Sequence, residues 1–252
     1  MELANIFVVI GFTVIHVNSN LFNIEKWDLT AKFSSLVGGI SIAYVFFHLF
    51  PTLIHYQKDI SRTFKLTSAS AFQLIFGMIL LGLIVFYFLE MAMQSSKLSV
   101  ALDRLNNKTV SDDDFEQRHQ RVFWAHIGSY ALYNIIIGIL LADQRFETST
   151  TAIFYLVAVG LHFFTNNWVL RHHFTRLYDK YGRLLISLTV LVGFLIGLTF
   201  HIDHTIIALL EAFVAGGLIL NAIKDELPQC KGNNFLIFLI GTVIYSFILI
   251  FI

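Results

Sequence analysis

The sequence predicts an all-α polytopic membrane protein with eight transmembrane helices. The 252-residue chain is 56% hydrophobic and 13% charged, with a mean hydropathy of +0.71, whereas a soluble domain of this size needs far more surface charge. Its apolar residues form serial runs, several of the ~20-residue length that crosses the hydrocarbon core of a bilayer as a helix. Two similar segments far apart in the chain indicate an internal repeat.

Eight apolar runs follow one another within a single transmembrane domain, residues 1–252. The predicted spans are residues 3–16, 33–55, 68–93, 123–142, 149–170, 184–200, 205–224 and 235–252. The first run is the shortest and weakest. It lacks the basic stretch and cleavage site of a signal peptide, so we expect it to be the first helix of the mature protein. The longest polar segment, residues 95–121, is predicted to be a cytoplasmic loop between the third and fourth helices.

The placement of Lys and Arg predicts the orientation, because basic residues concentrate in cytoplasmic loops. If the amino terminus is outside, only Lys58, Arg62, Lys65 and Arg145 of the 17 basic residues lie in external loops. The favoured topology therefore has both termini outside. We expect a multi-pass protein of the cell membrane. The short loops and the single cysteine, Cys230, favour a bacterial inner membrane.

The two prolines of the chain end two similar segments. These are GGISIAYVFFHLFP (38–51) and AGGLILNAIKDELP (215–228). In the topology above, the second helix runs outward and the seventh inward, so the segments end at opposite faces. This predicts an inverted repeat of helices one to three against helices six to eight, an arrangement that lets transporters open alternately to each side. Chance similarity of two apolar helices is the alternative. Four glycines in the two segments are expected to permit close helix packing: Gly38, Gly39, Gly216 and Gly217.

Polar residues interrupt the apolar fourth and fifth helices, which lie outside the repeat. Asn134 belongs to the run YNIIIG, and His162, Asn166 and Asn167 belong to GLHFFTNNWVL. His162 and Asn166 are four residues apart and share a helix face. Because unpaired polar groups are costly in hydrocarbon, we expect these two helices to pack together and point these side chains at each other or at a water-filled cavity. Both a substrate pathway and plain interhelical hydrogen bonding fit the pattern.

These motifs resemble the ZIP (zinc/iron permease-like) family of divalent-metal transporters. The ending His48-Leu49-Phe50-Pro51 is similar to the family's His-Leu-x-Pro, and Glu90 matches a late acidic residue of the third helix. The segment AGGLILNAIKDELP is close to A-G-x-x-L-x-x-x-x-D-x-L-P. The resemblance implies eight helices, both termini outside, a variable loop between helices three and four, and an inverted repeat around helices four and five.

The sequence departs from the family at the metal site, and it resembles a divergent member with most metal-ligand positions altered. The family's H-N-x-x-D-G aligns with YNIIIG (133–138), and its H-E-x-x-H-E aligns with HFFTNN (162–167). One imidazole and three neutral amides remain, without a carboxylate. Zinc prefers His, thiolate or carboxylate ligands, so tight zinc binding there is not expected. A weaker or different substrate, ligands from elsewhere, or a fold without metal transport all stay open.

The candidate site residues form two groups. The substrate-pathway candidates are Tyr133, Asn134, His162, Asn166 and Asn167. The candidate metal ligands are His162, His48, Glu90, Glu211 and Asp225. Glu211 is one to two turns inside the seventh helix, where a carboxylate must be neutralised or paired. Asp225 is near the inner end of that helix, where pairing with a lysine is the alternative. The run HIDH (201–204) precedes the helix and fits either a metal-collecting entrance or a solvated loop.

The sequence therefore predicts a ZIP-like transporter of a divalent metal such as zinc, iron or manganese, as substrate and not as cofactor. The alternative is a non-transporting ZIP-fold relative that acts as a regulatory or interaction protein. No phosphate loop, nucleophile–base pair or dinucleotide fingerprint is visible, so we expect no enzyme. Zero net charge predicts no nucleic-acid partner. The expected partners are the lipid bilayer and a small cation, and we allow for a homodimer.

Overall fold

The computed structural model of the chain describes residues 3–21, 27–105, 112–146, 148–224 and 234–251. Within these ranges the chain is helical, with short connections and no strand. The helices are α1 Leu3–Val17, α2 Trp27–Tyr44, α3 Phe50–His55, α4 Gln57–Thr63, α5 Ser68–Leu105, α6 Asp112–Asp143, α7 Ser149–Leu177, α8 Arg183–Thr199, α9 His204–Lys224 and α10 Phe235–Ile250, with π-helical turns at Val45–Leu49 and Tyr178–Gly182. The all-helical prediction is confirmed.

The described helices are compatible with a membrane protein. Five stretches are long and apolar enough to cross a bilayer, and α1 and α10 are shorter apolar helices. The five stretches are Ala31–Thr63, Ser68–Ala92, His119–Asp143, Ser149–Thr199 and His204–Ile223. The second of them exposes large apolar side chains, among them Phe76, Leu80 and Phe88. Such a surface is unfavourable in water and suits a lipid environment.

Contacts of α1 define the two ends of the bundle. Asn5 donates hydrogen bonds of 2.8 Å to the carbonyls of Leu141 and Gln144, so the start of α1 lies beside the end of α6. At the other end, the Ser19 hydroxyl lies 3.1 Å from the Tyr178 hydroxyl. We call these the Asn5 end and the Tyr178 end. The helix α1 therefore runs antiparallel to α6.

The longest apolar stretch contains a reversal of the chain. Helical geometry breaks at Phe174 (φ −133°, ψ 41°), shortly before the second π-helical turn. Beyond this turn, Arg183 donates a 3.5 Å hydrogen bond to the carbonyl of Val17. Further along α8, Gly193 packs against Ile135, and Gly197 packs against Ala142, near the Asn5 end. The helices α7 and α8 are therefore antiparallel, and the 51-residue stretch crosses the bundle twice.

The first π-helical turn lies next to Pro51. Proline lacks the N–H that would continue the helical ladder, and a π-helical turn absorbs such a break. The amide of Phe50 accordingly donates to the carbonyl of Val45, five residues back. The helical segment that starts with α2 therefore continues through the turn into α3 and ends at His55, close to the predicted boundary.

Glycines allow three helix pairs to touch through their backbones. A Cβ on these glycines would overlap a backbone carbonyl of the partner helix. The paired glycines are Gly39 and Gly241 between α2 and α10, Gly82 and Gly216 between α5 and α9, and Gly138 and Gly193 between α6 and α8. This confirms the packing role predicted for Gly39 and Gly216.

Helices extend into the segment that the sequence assigns to a loop. The helix α5 continues to Leu105, and α6 begins at Asp112, so much of 95–121 is helical. The prediction of a loop over residues 95–121 was therefore wrong for most of the segment, because charged and polar residues can form a helix as well as a loop.

Candidate functional site

A buried histidine network joins three helices in the Tyr178 half of the bundle. His16 of α1 lies with Nε2 3.0 Å from Asn134 Oδ1 on α6 and with Nδ1 2.9 Å from Asn167 Nδ2 on α7. All three side chains are at most 3% exposed. The ring of Phe163 packs on the imidazole, with centroids 4.7 Å apart. We call His16, Asn134 and Asn167 the His16 network.

The hydrogen bonds of the network assign its donors and acceptors. Asn134 Nδ2 donates to the carbonyl of Tyr130 at 2.8 Å, which leaves Asn134 Oδ1 as an acceptor. His16 Nε2 is therefore the donor, and Nδ1 accepts a hydrogen bond from Asn167. The Oδ1 of Asn167 is also near Nδ1, at 3.2 Å, but an acceptor cannot pair with an acceptor. Each of the three side chains thus has at least one hydrogen-bond partner without any ion.

A second buried pair lies on α7 alone. Asn166 Nδ2 donates to His162 Nε2 at 2.9 Å, one helical turn away. The hydroxyl of Thr165 donates to the carbonyl of His162 at 2.9 Å. The ring of Tyr133 lies 6.2 Å from the His162 ring, centroid to centroid. The shared helix face predicted for His162 and Asn166 is confirmed.

The hydrogen-bond partner of the central amides is His16 of α1, a helix that the sequence does not connect with them. We expected helices four and five to satisfy each other, but Asn134 and Asn167 are bridged by His16 instead. The helix α1 packs against α7 and α8, and α8 packs extensively against α6, whereas α6 touches α1 and α7 only a little. One signal was present: Asn5 and His16 are eleven residues apart, about three helical turns, and so lie on one face of an otherwise apolar helix.

A cavity of about 380 Å³ enters the bundle from the Asn5 end. Its mouth is formed by exposed residues such as Asp59, Arg145 and His204. We call this space the tyrosine cavity, because tyrosines from four parts of the chain line it. Its lining includes Tyr44, Tyr56, Tyr133, Tyr155, Ile137, Val159, Glu211, Val214 and Leu218. Its deep end therefore lies beside Tyr133, one ring away from His162.

Glu211 is the buried charged residue of this cavity. The helix α9 presents it to the tyrosine cavity, and its side chain is only 9% exposed. Glu211 is within electrostatic range of the Tyr44 and Tyr155 hydroxyls. No side chain among the described residues donates a hydrogen bond to it or forms an ion pair with it. A buried carboxylate without a partner is costly, and such groups commonly meet a ligand.

Ion pairs and a helix cap lie at the mouth of the tyrosine cavity and at the Tyr178 end of the bundle. Asp143 lies 3.5 Å from His204 at the mouth. Asp203 accepts a 2.8 Å hydrogen bond from the amide of Thr205 and so caps α9. Hydrogen bonds from the side chain and the amide of Thr205 hold the pKa of the Asp203 carboxyl below its usual range. At the Tyr178 end, Arg171 donates two hydrogen bonds to Asp179, at 2.8 and 3.1 Å. The HIDH run thus supplies a cap and an ion pair.

The predicted site residues fall into separate places. Tyr133 and Glu211 line the tyrosine cavity, while Asn134, Asn166, Asn167 and His162 are buried beyond its floor. His48 lines a smaller neighbouring cavity of about 220 Å³. Glu90, near the Tyr178 end of α5, accepts a 3.2 Å hydrogen bond from Gln94. Asp225 lies outside the described residues.

No group of three or more His, Cys, Asp or Glu side chains in the described part of the chain could hold a metal ion. The candidate ligands from the sequence are thus distributed over both ends of the bundle and two cavities. No family model, curated protein or solved structure matches this chain. The site must therefore be interpreted from its own geometry.

Proposed function

We propose that the chain is an integral membrane transporter of ZIP-like architecture that moves a small cation by alternating access. One observation supports this most directly. The tyrosine cavity leads from the Asn5 end to the middle of the bundle, and packed residues close the path beyond it. The closed half contains the His16 network and a cluster around Phe123, Ile127 and Tyr178. A cavity open to one side only is the form expected of one state of an alternating-access cycle.

The helix packing supports an eight-span inverted repeat. In this proposal α1, α2–α4 and α5 form the first repeat, α8, α9 and α10 form the second, and α6 exchanges with α7. The repeat relates α1 to α8, α2 to α9, α5 to α10 and α6 to α7. The α5–α9 interface therefore corresponds to the α10–α2 interface, and the α6–α8 interface corresponds to the α7–α1 interface. All four are among the most extensive contacts between the described helices. In this proposal the two repeats make corresponding interfaces in opposite directions, although the α6–α8 interface is more extensive than the α7–α1 interface.

The glycine contacts indicate how the two segments of the proposed repeat align. Gly39 lies twelve residues before Pro51, and Gly216 lies twelve residues before Pro228. Both glycines meet the backbone of the third helix of the other repeat, α10 for Gly39 and α5 for Gly216. Two prolines at equal spacing are weak support alone. Equal spacing combined with equivalent backbone contacts is difficult to attribute to chance.

Alternating access predicts that buried positions at both ends become accessible in turn. We would replace Cys230 by serine and introduce Leu140→Cys in the tyrosine cavity or Leu170→Cys in the closed half, where it is 4% exposed. Membrane-impermeant thiol reagents should label Leu140→Cys from the Asn5 side and Leu170→Cys from the opposite side. A lipid-facing Leu80→Cys variant, which should not react, is the matched control.

The solute dependence of this labelling is the decisive comparison. A transported cation should change the two labelling rates in opposite directions, by about tenfold or more if it shifts the equilibrium between the states. Labelling of Leu140→Cys alone, with Leu170→Cys protected from both sides under every condition, would contradict alternating access.

The divalent-metal hypothesis needs its own test. We would titrate the purified protein with zinc, cadmium, manganese and iron by calorimetry, with and without His162→Ala. The substitution should not change the binding of any of these metals, because His162 and the central amides already have hydrogen-bond partners. The substitution Asn166→Ala should likewise leave any metal response unchanged. Tight binding that is lost in His162→Ala would instead assign the metal to the altered ZIP position.

A non-transporting relative is the second candidate, and one observation favours it. The central polar residues that a ZIP-like transporter would use are buried and paired with one another, and they do not line the cavity. In that case the bundle is a scaffold for regulation or interaction. The labelling experiment separates the two candidates, because a scaffold needs no opening at the Tyr178 end.

A further inference from the structure

We infer that the tyrosine cavity binds a small organic ammonium compound, with Glu211 as its counter-charge and the rings of Tyr44, Tyr133 and Tyr155 as its walls. This inference rests on the proposed function, since it names the class of cation that the transporter would take. Three properties of the cavity support it: the place of the charge, the chemistry of the walls and the size of the space.

An acidic residue lies where the walls of the cavity are deepest. The exposed residues Asp59, Arg145 and His204 and the half-buried Asp143 are near the mouth, where water screens their charges. Glu211 is the charged residue of the buried part, and it has no hydrogen-bond or ion-pair partner among the described residues. An entering cation would favour the ionised carboxylate and pair with it, which an anion or a neutral molecule cannot do. The buried end therefore selects a cationic ligand.

The walls of the buried end are aromatic and aliphatic. Tyr44 and Tyr155 meet edge to face with centroids 6.0 Å apart, and Tyr133 meets Phe86 in the same way at 5.4 Å. Val159 and Val214 fill the positions between them. A ring face attracts an alkylated ammonium group by its quadrupole, and aromatic surroundings of this kind are typical of quaternary ammonium recognition. A divalent metal ion prefers several carboxylate, imidazole or thiolate ligands, whereas the buried walls supply one carboxyl group and neutral phenol hydroxyls.

The volume of the cavity is large enough for a small organic molecule and larger than a single metal ion requires. Its volume of about 380 Å³ lies in the range of small-molecule sites, ~300–1,000 Å³. The described residues also offer no group of three metal-binding side chains. A compact ammonium compound would fill the space, contact the rings and approach Glu211. The available ligands and the volume therefore agree on one chemical class.

Binding of radiolabelled choline to the purified full-length protein in nanodiscs is the first experiment. We expect saturable binding that the neutral isostere 3,3-dimethyl-1-butanol fails to displace, because the isostere has the same shape without the charge. Glu211→Gln should weaken choline binding at least tenfold. Glu116→Gln, an identical change at an exposed position of the Tyr178 end, should leave it unchanged.

The aromatic walls are tested by a second pair of variants. Tyr155→Phe should retain binding because it keeps the ring, and Tyr155→Leu should weaken it by about tenfold through loss of the ring. Tyr87→Leu, at a lipid-facing position 55% exposed, is the control. Thermal unfolding of each variant separates a loss of binding from a loss of fold.

Several outcomes would overturn the inference. These are equal binding of choline and its isostere, no choline binding, or unchanged binding in Glu211→Gln. Zinc or manganese binding that only Glu211→Gln removes, without choline binding, would assign the cavity to a metal. Choline binding without alternating thiol labelling would retain the site and reject transport. Alternating labelling without choline binding would retain transport and reject this ligand.

Discussion

Replacing Gly216 with alanine is expected to destabilise the protein by about 3 kcal/mol. The backbone of α9 touches that of α5 at this residue, and a Cβ would overlap the carbonyl oxygen of Ile79. No side chain can move aside to relieve this contact, because the obstacle is backbone. The two helices must separate, which disrupts packing along their whole interface. Reversible unfolding in mixed micelles measures the change.

Glycines without neighbours provide the matched controls. At Gly77 of α5 and Gly128 of α6, an added Cβ would meet no heavy atom within 4 Å. Alanine at these positions should be neutral or stabilise the helix by up to ~1 kcal/mol, because alanine loses less backbone entropy than glycine on folding. Equal effects at Gly216 and Gly77 would show that the close approach of α5 and α9 is not present in the folded protein.

The same substitution at Gly39 bears on the proposed repeat. Its Cβ would overlap the carbonyl oxygen of Phe238 on α10, the counterpart of the Gly216 contact. If the two halves are related by an inverted repeat, Gly39→Ala and Gly216→Ala should have similar costs. A large cost at one position alone would leave the two proline-ended segments similar in sequence but different in their packing role.

Replacing His16 with alanine is the second change with a large expected effect, about 2–4 kcal/mol of lost stability. The substitution removes the hydrogen bonds to Asn134 and Asn167 and opens a cavity beneath the ring of Phe163. Asn134 Oδ1 loses its donor in a site from which water is excluded, so the desolvation penalty of that atom is not recovered. Unfolding in mixed micelles is again the measurement.

A surface histidine and a double-mutant cycle complete this test. His55, an exposed residue at the end of α3, should change stability by less than ~0.5 kcal/mol when replaced by alanine. His16→Ala and Asn167→Ala should be less costly together than the sum of the single changes, because they remove the same hydrogen bond. Additive costs would mean that the two side chains do not interact.

Two members of the His16 network, Asn134 and Asn167, lie in the segments that resemble the ZIP metal motifs. In the alignment with those motifs, Asn166 and Asn167 replace a histidine and a glutamate, whereas Asn134 matches an asparagine of the motif. The imidazole of His16 satisfies Asn134 and Asn167. A neutral network needs no ion to stabilise it. The buried charge that remains open to a ligand is Glu211, at a different depth and on a different helix.

Much of the architecture could be predicted from the sequence, because the length and periodicity of apolar runs determine where helices form in a bilayer. The helical segments lie close to the predicted spans, although α5 and α6 extend beyond them. The shared face of His162 and Asn166 follows from helical geometry alone. The role of Gly39 and Gly216 was also predictable, because small residues in apolar helices permit close packing.

The partners of the polar residues could not be predicted, because apolar helices can pack in many arrangements of similar composition. The sequence alone determined a chain of apolar helices and the polar residues that interrupt two of them. Only the tertiary structure decided that α1 supplies His16 to the central amides, and that Tyr44, Tyr133, Tyr155 and Glu211 meet around one cavity. Spacing along one helix fixes which residues share a face, whereas the choice of neighbouring helix depends on the packing of the whole bundle.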